Sequence, residues 1–463
     1  MDSGRTFKGD NRLLLGIFLG VITFWLFANS LVNIVPTLQQ SFNTKLGTIN
    51  AAVSLTALLC GLLVVGAGGL ADRYGRMKLT YIGLILSVIG SGLIIIPGFA
   101  SLLIIGRAIQ GISGACIMPA TLAIINTYYI GKARQRALTY WSIGSWGGSG
   151  ICSVFGGFMA TYVGWRSIFI ISIIVALLSM FLIKHAPETK APKSEKAAEN
   201  KFDFVGLVLL VIAMLSINMI ITQASDYGLM SLLIISMIIV FIVSFIAFII
   251  WEQKYNNPLI DFGLFKHKGY SGATISNFLL NAVFGTTLVA NTYFQSGLDF
   301  NSSQAGYITL TYLISVLIMI PIGEKVLQSM GAKRPMMIGA LLNGVGIVLL
   351  MLVFLPPTWY VVVSIIGYLI YGTGLGMYAT PSTDTAVSTA PDDKVGVASG
   401  VYKMASSLGN SFGLAISGTL FSVMGDKFNI QQGMTYGLGF NVVCALLAFI
   451  LIWALVPKNQ FNH

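Results

Sequence analysis

The feature that most restricts the fold is a succession of long apolar runs. The sequence holds 14 of them, each close to the ~20 residues that a helix needs to cross a hydrocarbon core of ~30 Å. In lipid the backbone finds no water, so only helices and closed barrels can span the membrane. Charged residues make up 9% of the chain, against about 25% in soluble domains. We therefore predict an all-helical integral membrane protein.

The runs divide the chain into regular units, which we number spans 1 to 14. A linker rich in Lys, Glu, Ala and Pro, residues 185–203, follows span 6, and its composition suits a flexible tether. The mixed apolar and basic stretch 251–272 is expected to lie along the membrane surface. The spans lie near residues 13–36, 48–70, 79–97, 101–125, 136–160, 165–184, 204–222, 229–251, 272–296, 304–323, 335–355, 359–387, 395–424 and 435–457.

Basic residues predict the orientation. Of the 27 lysines and arginines, 22 fall in segments that are cytoplasmic if the N-terminus is, and three fall in outer segments. The other two, Arg107 and Lys403, lie within spans. This bias follows the positive-inside rule and predicts that both termini are cytoplasmic. The net charge of +11 then faces anionic lipid, so we expect no nucleic-acid partner.

The sequence favours no enzyme. It has no Gly-x4-Gly-Lys-Ser/Thr phosphate loop, so ATP is not expected to drive the protein. The three histidines fall in polar segments without metal-ligand spacing, and the four cysteines fall in apolar runs. We therefore expect neither a metal nor another cofactor, and no disulfide framework.

A weak internal repeat relates two distant spans. Glycines and a proline at 106, 111, 114 and 119 of span 4 are echoed at 367, 372, 374 and 381 of span 12. A fourth span that matches a twelfth predicts two six-helix bundles, residues 1–184 and 272–463. Spans 7 and 8 and the inner loop, residues 204–271, are then an insertion. Parallel halves of this kind close around a cavity at the membrane midplane.

Four motifs together resemble one family. They are Gly68–Lys78 after span 2, Gly106–Gly111 in span 4, Gly144–Gly157 in span 5 and Asn257–Phe262 before span 9. The chain resembles the major facilitator superfamily and, within it, the 14-span drug:proton antiporters that include quinolone efflux pumps. Two departures are visible. Span 5 lacks the proline that usually precedes its glycine pair, and residues 24–29 contain no acid where many relatives have one.

The resemblance implies a proton-coupled multidrug efflux transporter in a bacterial cytoplasmic membrane. It would export quinolones and other amphipathic compounds by alternating access, with protons as the second substrate, and would be monomeric. The alternative is a transporter of a physiological lipid, siderophore or metabolite, for which drugs are incidental cargo. A sensor or scaffold that moves nothing is a third class.

Few charged residues can couple proton movement to transport. Burial raises the pKa of a carboxyl group toward the working range, and we name Asp384 and Glu324 as candidate acids, with Arg107 as the buried base. Each has a structural alternative. Asp384 could cap a helix end, Glu324 could pair with Lys325 or Arg334, and Arg107 could serve only to join helices.

The family motifs supply two further groups of residues. The gating motif after span 2 has Asp72 binding a helix N-terminus or bases across the bundle interface, or else serving topology alone. Its members are Gly69, Asp72, Arg73, Gly75 and Arg76. The antiporter motif of span 5 comprises Gly144, Gly148, Gly156 and Gly157.

Polar and aromatic side chains of the cavity-lining spans are the candidate substrate contacts. Aromatic faces and amides suit flat, amphipathic compounds, although aromatic residues in spans also serve as packing or interface anchors. The candidates are Trp25, Asn29, Asn33, Trp146, Asn277, Asn281, Asn291 and Tyr371.

Overall fold

The computed structural model describes residues 7–130, 133, 136–137, 140–141, 143–190, 203–228, 230–255, 258–390 and 395–457. Within them helices occupy all 14 predicted spans and no strand occurs, so the all-helical membrane fold is confirmed. Twelve helical segments in these ranges are long and apolar enough to cross a membrane. The remaining two predicted spans, 5 and 13, are also helical. The start of span 5 lies partly outside the described residues. We call the sides given by the positive-inside rule inner and outer.

Of the first six spans, four are single α-helices, and spans 1 and 5 also contain turns of other helix types. Span 1 comprises an α-helix Asn11–Ile22, a π-helix Thr23–Phe27 and a 3-10 helix Ala28–Asn33, followed by an outer helix Val35–Phe42. Span 5 comprises a π-helix Ile143–Gly147 and an α-helix Gly148–Tyr162. Spans 2, 3, 4 and 6 are the helices Leu46–Tyr74, Arg76–Ile95, Ala100–Tyr128 and Arg166–Ile183.

The later spans follow the same scheme. Span 9 is divided into Lys268–Ala282 and Gly285–Gly297, and a 3-10 helix Phe262–Lys266 precedes it. Spans 7, 8 and 10 are Phe204–Tyr227, Leu232–Lys254 and Ser302–Met330. Spans 11 to 14 are Lys333–Leu350, Pro357–Ser388, Val395–Lys427 and Ile430–Leu455.

The glycines of the internal repeat lie at matching helix crossings. A Cβ on Gly106 would lie 2.7 Å from the carbonyl oxygen of Gly90, so spans 3 and 4 touch backbone to backbone. In the second half a Cβ on Gly367 would lie 2.9 Å from the carbonyl oxygen of Gly346, which joins spans 11 and 12 in the same way. Small residues permit such approaches in membranes. The crossings support the division into 1–184 and 272–463, which remains a prediction.

Contacts between the two groups of spans follow two seams. Span 2 packs along span 13, and span 5 packs along span 10. Spans 7 and 8 pack on each other, and span 7 also packs on spans 2 and 13. Span 8 carries a row of exposed apolar side chains that includes Ile239, Val243, Ile246 and Ile250. Such an apolar surface suits lipid, so the inserted pair lies at the side of the bundle.

Candidate transport site

Span 1 changes helix type near the middle of the membrane. The Thr23 hydroxyl donates to the Gly20 carbonyl at 2.6 Å, and the Ser30 hydroxyl donates to the Leu26 carbonyl at 2.6 Å. Such side chains compete with the backbone for helical hydrogen bonds. Pro36 in the first turn of the outer helix has no N–H to contribute. The π and 3-10 turns change the pairing of carbonyl groups and make some of them available to side chains.

Arg107 is buried at this point, with 1% of its surface exposed. Its guanidinium donates to the carbonyl oxygens of Ala28 in span 1 at 2.7 Å and of Ala52 in span 2 at 3.1 Å. It also donates to the Gln110 side chain at 2.8 Å, and Gln110 in turn donates to the Ser91 hydroxyl at 3.2 Å. No ion pair in the described chain includes Arg107. Uncharged acceptors from spans 1, 2 and 4 therefore hold the cation in the bundle interior.

The gating motif turns at a single residue. Span 2 continues through Tyr74, so Asp72 and Arg73 lie on the helix, and only Gly75, with φ 134°, makes the turn. The two Glu188 carboxylate oxygens accept from the backbone N–H groups of Met77 and Lys78 at 2.8 and 2.9 Å. A Cβ on Gly75 would collide with that carboxylate. The acid at the N-terminus of span 3 is thus Glu188 of the linker, a residue that the sequence analysis does not single out.

The other gating residues surround this turn. Gly69 is exposed on span 2, and the exposed Arg73 guanidinium lies 5.5 Å from the ring centroid of Tyr74. Arg76 donates to the Thr127 hydroxyl of span 4 at 2.6 Å. The side chain of Asp72 lies outside the described part of the molecule, so its predicted partner stays a prediction.

The two halves meet on the outer side at one polar cluster, the outer junction, made of Asn33, Gly157, Gln295, Ser302 and Gly306. The Asn33 amide donates to the carbonyl oxygens of Ser302 at 2.9 Å and of Ser153 at 2.7 Å. Gln295 donates to the Asn33 carbonyl at 2.7 Å and accepts from the Ser302 hydroxyl at 2.7 Å. Asn33 is completely buried, so it joins spans 1, 5 and 10 and does not face an open cavity.

Two glycines permit the close approach at the outer junction. A Cβ on Gly157 would collide with the Ser302 carbonyl oxygen and lie 2.7 Å from the Asn33 amide nitrogen. A Cβ on Gly306 would lie 2.9 Å from the Ser153 carbonyl oxygen. Of the five side-chain hydrogen bonds that the described residues form between 1–184 and 272–463, four lie at the outer ends of the spans. The fifth, from the Ser411 hydroxyl to the Ser54 carbonyl, lies nearer the middle of the seam between spans 2 and 13. The outer side is therefore closed.

The other antiporter glycines pack against span 1. Gly144 lies against Phe18 and Val21, Gly148 against Trp25, and Gly156 against Ser30. Trp25 is half-buried, and its indole N–H donates to the Met118 sulfur at 3.1 Å. Asn29 is also half-buried on the same helix. The Trp146 side chain, predicted to line the cavity, lies outside what the structure describes.

The asparagines of span 9 form two separate groups. Asn277 donates to the Tyr402 carbonyl at 3.1 Å and to the Ser406 hydroxyl at 2.6 Å, and Asn281 donates to Asn277 at 2.9 Å. Asn291 is completely buried and accepts from the Thr309 hydroxyl at 2.6 Å. Only Asn277 and Asn281 therefore lie together, near span 13.

Tyr371 lies in the core of the second half. It is completely buried, and its ring centroid lies 5.9 Å from that of Tyr312 and 6.3 Å from that of Tyr368. Its hydroxyl donates to the Val283 carbonyl at 3.3 Å. In this conformation its neighbours are other tyrosines, as expected of a packing residue.

A chain of hydroxyl groups ends at Thr383, the residue before the candidate acid Asp384. Ser276 and Tyr378 share a hydrogen bond of 2.7 Å, Ser382 donates to Tyr378 at 2.8 Å, and Ser382 and Tyr402 share another of 2.8 Å. Tyr402 and Thr383 lie 3.4 Å apart. Asp384 is the next residue, exposed near the inner end of span 12. Serines and tyrosines give no distinctive sequence signal, so this chain was missed.

Glu324, the other candidate acid, is exposed near the inner end of span 10. The predicted pairing with Lys325 or Arg334 is not found, since no ion pair in the described ranges includes these residues. Arg107, Asp384 and Glu324 belong to three different helices, spans 4, 12 and 10, and no hydrogen bond or ion pair among the described residues joins them. The structure therefore brings together the residues of the outer junction but not the three proposed for proton coupling.

Comparison with known proteins identifies the relatives of this chain. The family model described as Major Facilitator Superfamily matches residues 14–266 and 270–463. The quinolone resistance protein NorB of Staphylococcus aureus strain MRSA252 is 60% identical over 458 residues, which cover 99% of this chain and 98% of that protein. The protein of the same description in strain COL is 59% identical with the same coverage.

Solved structures with much lower identity share the fold. A peptide transporter POT in complex with sulfate is similar with a TM-score of 0.71 at 15% identity, covering 98% of this chain and 97% of that one. A mutant of the nucleoside transporter NupG has a TM-score of 0.70 at 15% identity, covering 95% of this chain and 100% of that one.

Proposed function

We infer, from the premise that this chain belongs to the major facilitator superfamily, that it is a drug efflux transporter of the bacterial cell membrane. The observation that carries this conclusion is 60% identity across almost the whole length to a quinolone resistance protein. We propose quinolones and other amphipathic compounds as its cargo. The protein is not an enzyme, and its chemistry is binding and release.

Alternating access is proposed to operate through the outer junction. Among the described residues, the hydrogen bonds between the halves are concentrated toward the outer side, which suits a state that receives cargo from the inner leaflet or the cytoplasm. Release then requires the contacts of Asn33 with Ser302 and Gln295 to break. Those contacts use neutral groups, whose net worth is ~0.5–1.5 kcal/mol each, so they can be exchanged readily.

Proton movement is the proposed energy source. The sequence has no phosphate-binding loop, so a gradient is the remaining drive. Arg107 is proposed to respond to changes in span 1, because its acceptors include the Ala28 carbonyl. Asp384 is proposed as the proton carrier, next to the hydroxyl chain of span 12, with Glu324 as the second candidate.

Cargo is proposed to contact Trp25, Asn29 and Asn281, which are half-buried, and Asn277, which is 5% exposed and accepts from Asn281. Trp25 and Asn29 of span 1 and Asn277 and Asn281 of span 9 combine an aromatic face with amides, which suits flat compounds with polar edges. Trp146 stays a candidate. Asn33, Asn291 and Tyr371 are completely buried, and we propose that they control packing. The monomer is proposed as the transporting unit, with both termini cytoplasmic.

Proteoliposomes test the function. Protein is reconstituted with a fluorescent quinolone, a pH gradient is imposed, and cargo movement and internal pH are followed together. We expect quinolone movement coupled to opposite proton movement, abolished by a protonophore. Movement that persists without a gradient would refute proton coupling, and proton movement with a lipid or metabolite but not with the quinolone would favour physiological cargo.

A further inference from the structure

Two acids at the inner ends of the inserted spans are buried. Asp203, immediately before span 7, is 2% exposed, and Glu252, near the end of span 8, is 3% exposed. By sequence both fall in polar cytoplasmic segments, where an acid is normally solvated. Burying a charged group is costly unless it is paired and hydrogen-bonded, so their surroundings need an explanation.

The two carboxyl groups have different sets of donors. One Asp203 oxygen, Oδ1, accepts from the Gly206 backbone N–H and from the Trp251 indole N–H, each at 2.8 Å. Glu252 accepts from the backbone N–H groups of Leu259 and Ile260 at 3.2 and 3.1 Å. The other Asp203 oxygen, Oδ2, is buried and has no hydrogen-bond donor.

The two carboxyl groups approach each other. A Cβ on Gly206 would collide with Asp203 Oδ2 and lie 2.7 Å from Glu252 Oε1, so the two oxygens approach one point. Two buried carboxylates that approach one point cannot readily both be ionised. A proton on Glu252 would supply the donor that Asp203 Oδ2 lacks.

Among the described residues, the surrounding charges do not neutralise the pair. The charged and titratable groups of the neighbouring described elements are Lys254 on span 8, Asp261, Lys266 and His267 in the loop, and Lys403 on span 13. Lys254, Lys266 and Lys403 are exposed. Asp261 accepts from the Gly263 backbone N–H at 2.8 Å. No ion pair within 4.0 Å joins either carboxyl to any described base.

The pair holds the loop that leads into span 9. Glu252 binds the loop backbone at Leu259 and Ile260. The Leu259 side chain is 5% exposed and belongs to an apolar cluster with Leu62 of span 2 and Met404 of span 13. These two spans form one of the seams between the halves. The carboxyl pair is therefore linked, through one loop, to the contact that must shift when the halves move.

We propose that Asp203 and Glu252 form a proton-binding site that fastens the loop 258–264 to the seam between spans 2 and 13. When the pair holds one proton, it carries a single negative charge and the loop stays in place. When the proton leaves, the carboxylates repel each other, Glu252 moves away, and Leu259 loses its anchor. The proposal does not depend on which cargo is transported.

The variant Asp203→Asn tests the site. Asparagine keeps the oxygen that accepts from Gly206 and Trp251, and its NH₂ replaces the oxygen that lacks a donor, so it can donate to ionised Glu252 without a proton. The exposed Asp299→Asn is the matched control. The readout is the rate at which a thiol reagent labels a cysteine introduced as Ile260→Cys in the full chain in lipid. This rate is divided by that of Gln253→Cys, because thiol reactivity itself depends on pH. The native cysteines are buried.

We expect the relative labelling at position 260 to rise several-fold as pH increases with Asp203 present and with Asp299→Asn, and to stay low with Asp203→Asn. Equal pH dependence with Asp203→Asn, or no dependence with Asp203 present, would overturn the proposal. The second measurement, which serves if Asp203→Asn fails to fold, is the infrared pH-difference spectrum of the unsubstituted protein and of Glu252→Gln. We expect a protonated-carboxyl band in the unsubstituted protein and its loss in Glu252→Gln. Absence of the band from the unsubstituted protein, or its persistence in Glu252→Gln, would refute the site.

Discussion

Spans 4 and 12 have equivalent backbones and different buried chemistry. Each crosses its neighbour through a pair of glycines, Gly90 with Gly106 in one half and Gly346 with Gly367 in the other. At the position after Gly106 the first half buries Arg107, whereas the second half buries Tyr368 after Gly367. The repeat thus preserves the geometry of the helix crossing, while a buried charge follows the glycine in the first half only. At this crossing the first half therefore buries a cation bonded to spans 1 and 2, whereas the second half buries a tyrosine packed against other tyrosines.

The largest expected effect is loss of this charge. Arg107→Met leaves the carbonyls of Ala28 and Ala52 and the Gln110 side chain without their donor, and each buried unsatisfied group costs ~1–3 kcal/mol. We expect gradient-driven quinolone efflux to fall to background in proteoliposomes. Tyr368→Phe is the matched control, because the Tyr368 hydroxyl has no hydrogen-bond partner, and it should retain most activity. Equal losses in both variants would remove the distinction between the halves.

The next effect concerns the place where the halves join. Gly157→Val puts a side chain against the Ser302 carbonyl and Asn33, so we expect the outer side to stay open and transport to fail. Labelling of a cysteine introduced as Gln295→Cys by an impermeant reagent should increase. Gly439→Val adds the same side chain in span 14, where no atom lies within 4 Å, and should leave labelling unchanged. An unaltered Gly157→Val protein would show that the outer junction is not a gate.

A smaller effect tests the equivalence of the crossings. Gly106→Ala and Gly367→Ala each place a methyl group against a neighbouring helix backbone. Overpacking of this kind costs ~1–3 kcal/mol. We expect both variants to lower the thermal unfolding temperature by a similar amount, whatever their effects on transport. A strongly destabilised Gly106→Ala beside a neutral Gly367→Ala would contradict the structural repeat.

The smallest effect lies at the outer end of the inserted pair. The Asp226 carboxylate, 4.0 Å from Lys45, has its pKa raised from 3.8, chiefly by burial and further by Asp426, while Lys45 lowers it. A carboxyl group with a raised pKa in the folded state binds more protons there, so its contribution to stability falls as pH rises from 3.8 through the raised pKa. Asp226→Asn should therefore stabilise the protein slightly at neutral pH and not at pH 3. The check is the melting temperature of Asp226→Asn and of the unsubstituted protein across a pH series. Equal melting temperatures at neutral pH would contradict the prediction and show that Lys45 compensates the burial of Asp226.

The sequence predicted what depends on composition and spacing. Fourteen apolar runs became helices, and the glycine repeat of spans 4 and 12 became matched crossings. It placed Arg107 in a bundle interior because an unpartnered arginine in hydrocarbon costs ~2.5–3.5 kcal/mol. These properties depend on the residues of a single helix or on the cost of placing a residue in the hydrocarbon of the bilayer.

The sequence did not predict which distant residues contact each other in the fold. Asn33 was predicted to face the cavity, yet its amide contacts Ser302, 269 residues away. Asp203 and Glu252 looked like solvated surface acids because nothing local indicates that the loop at Leu259 folds over them. Glu188 likewise caps span 3 from a linker that composition describes as a tether. Each depends on how distant segments meet, which a single sequence does not encode in spacing.

Cross-linking the outer junction tests the central claim most directly. Cysteines replace Asn33 and Ser302 together, and gradient-driven efflux of a fluorescent quinolone is measured before oxidation, after oxidation and after reduction. If the outer side must open in each cycle, oxidation abolishes efflux and reduction restores it, while either single cysteine is insensitive. Undiminished efflux by the fully cross-linked protein would contradict alternating access through this junction.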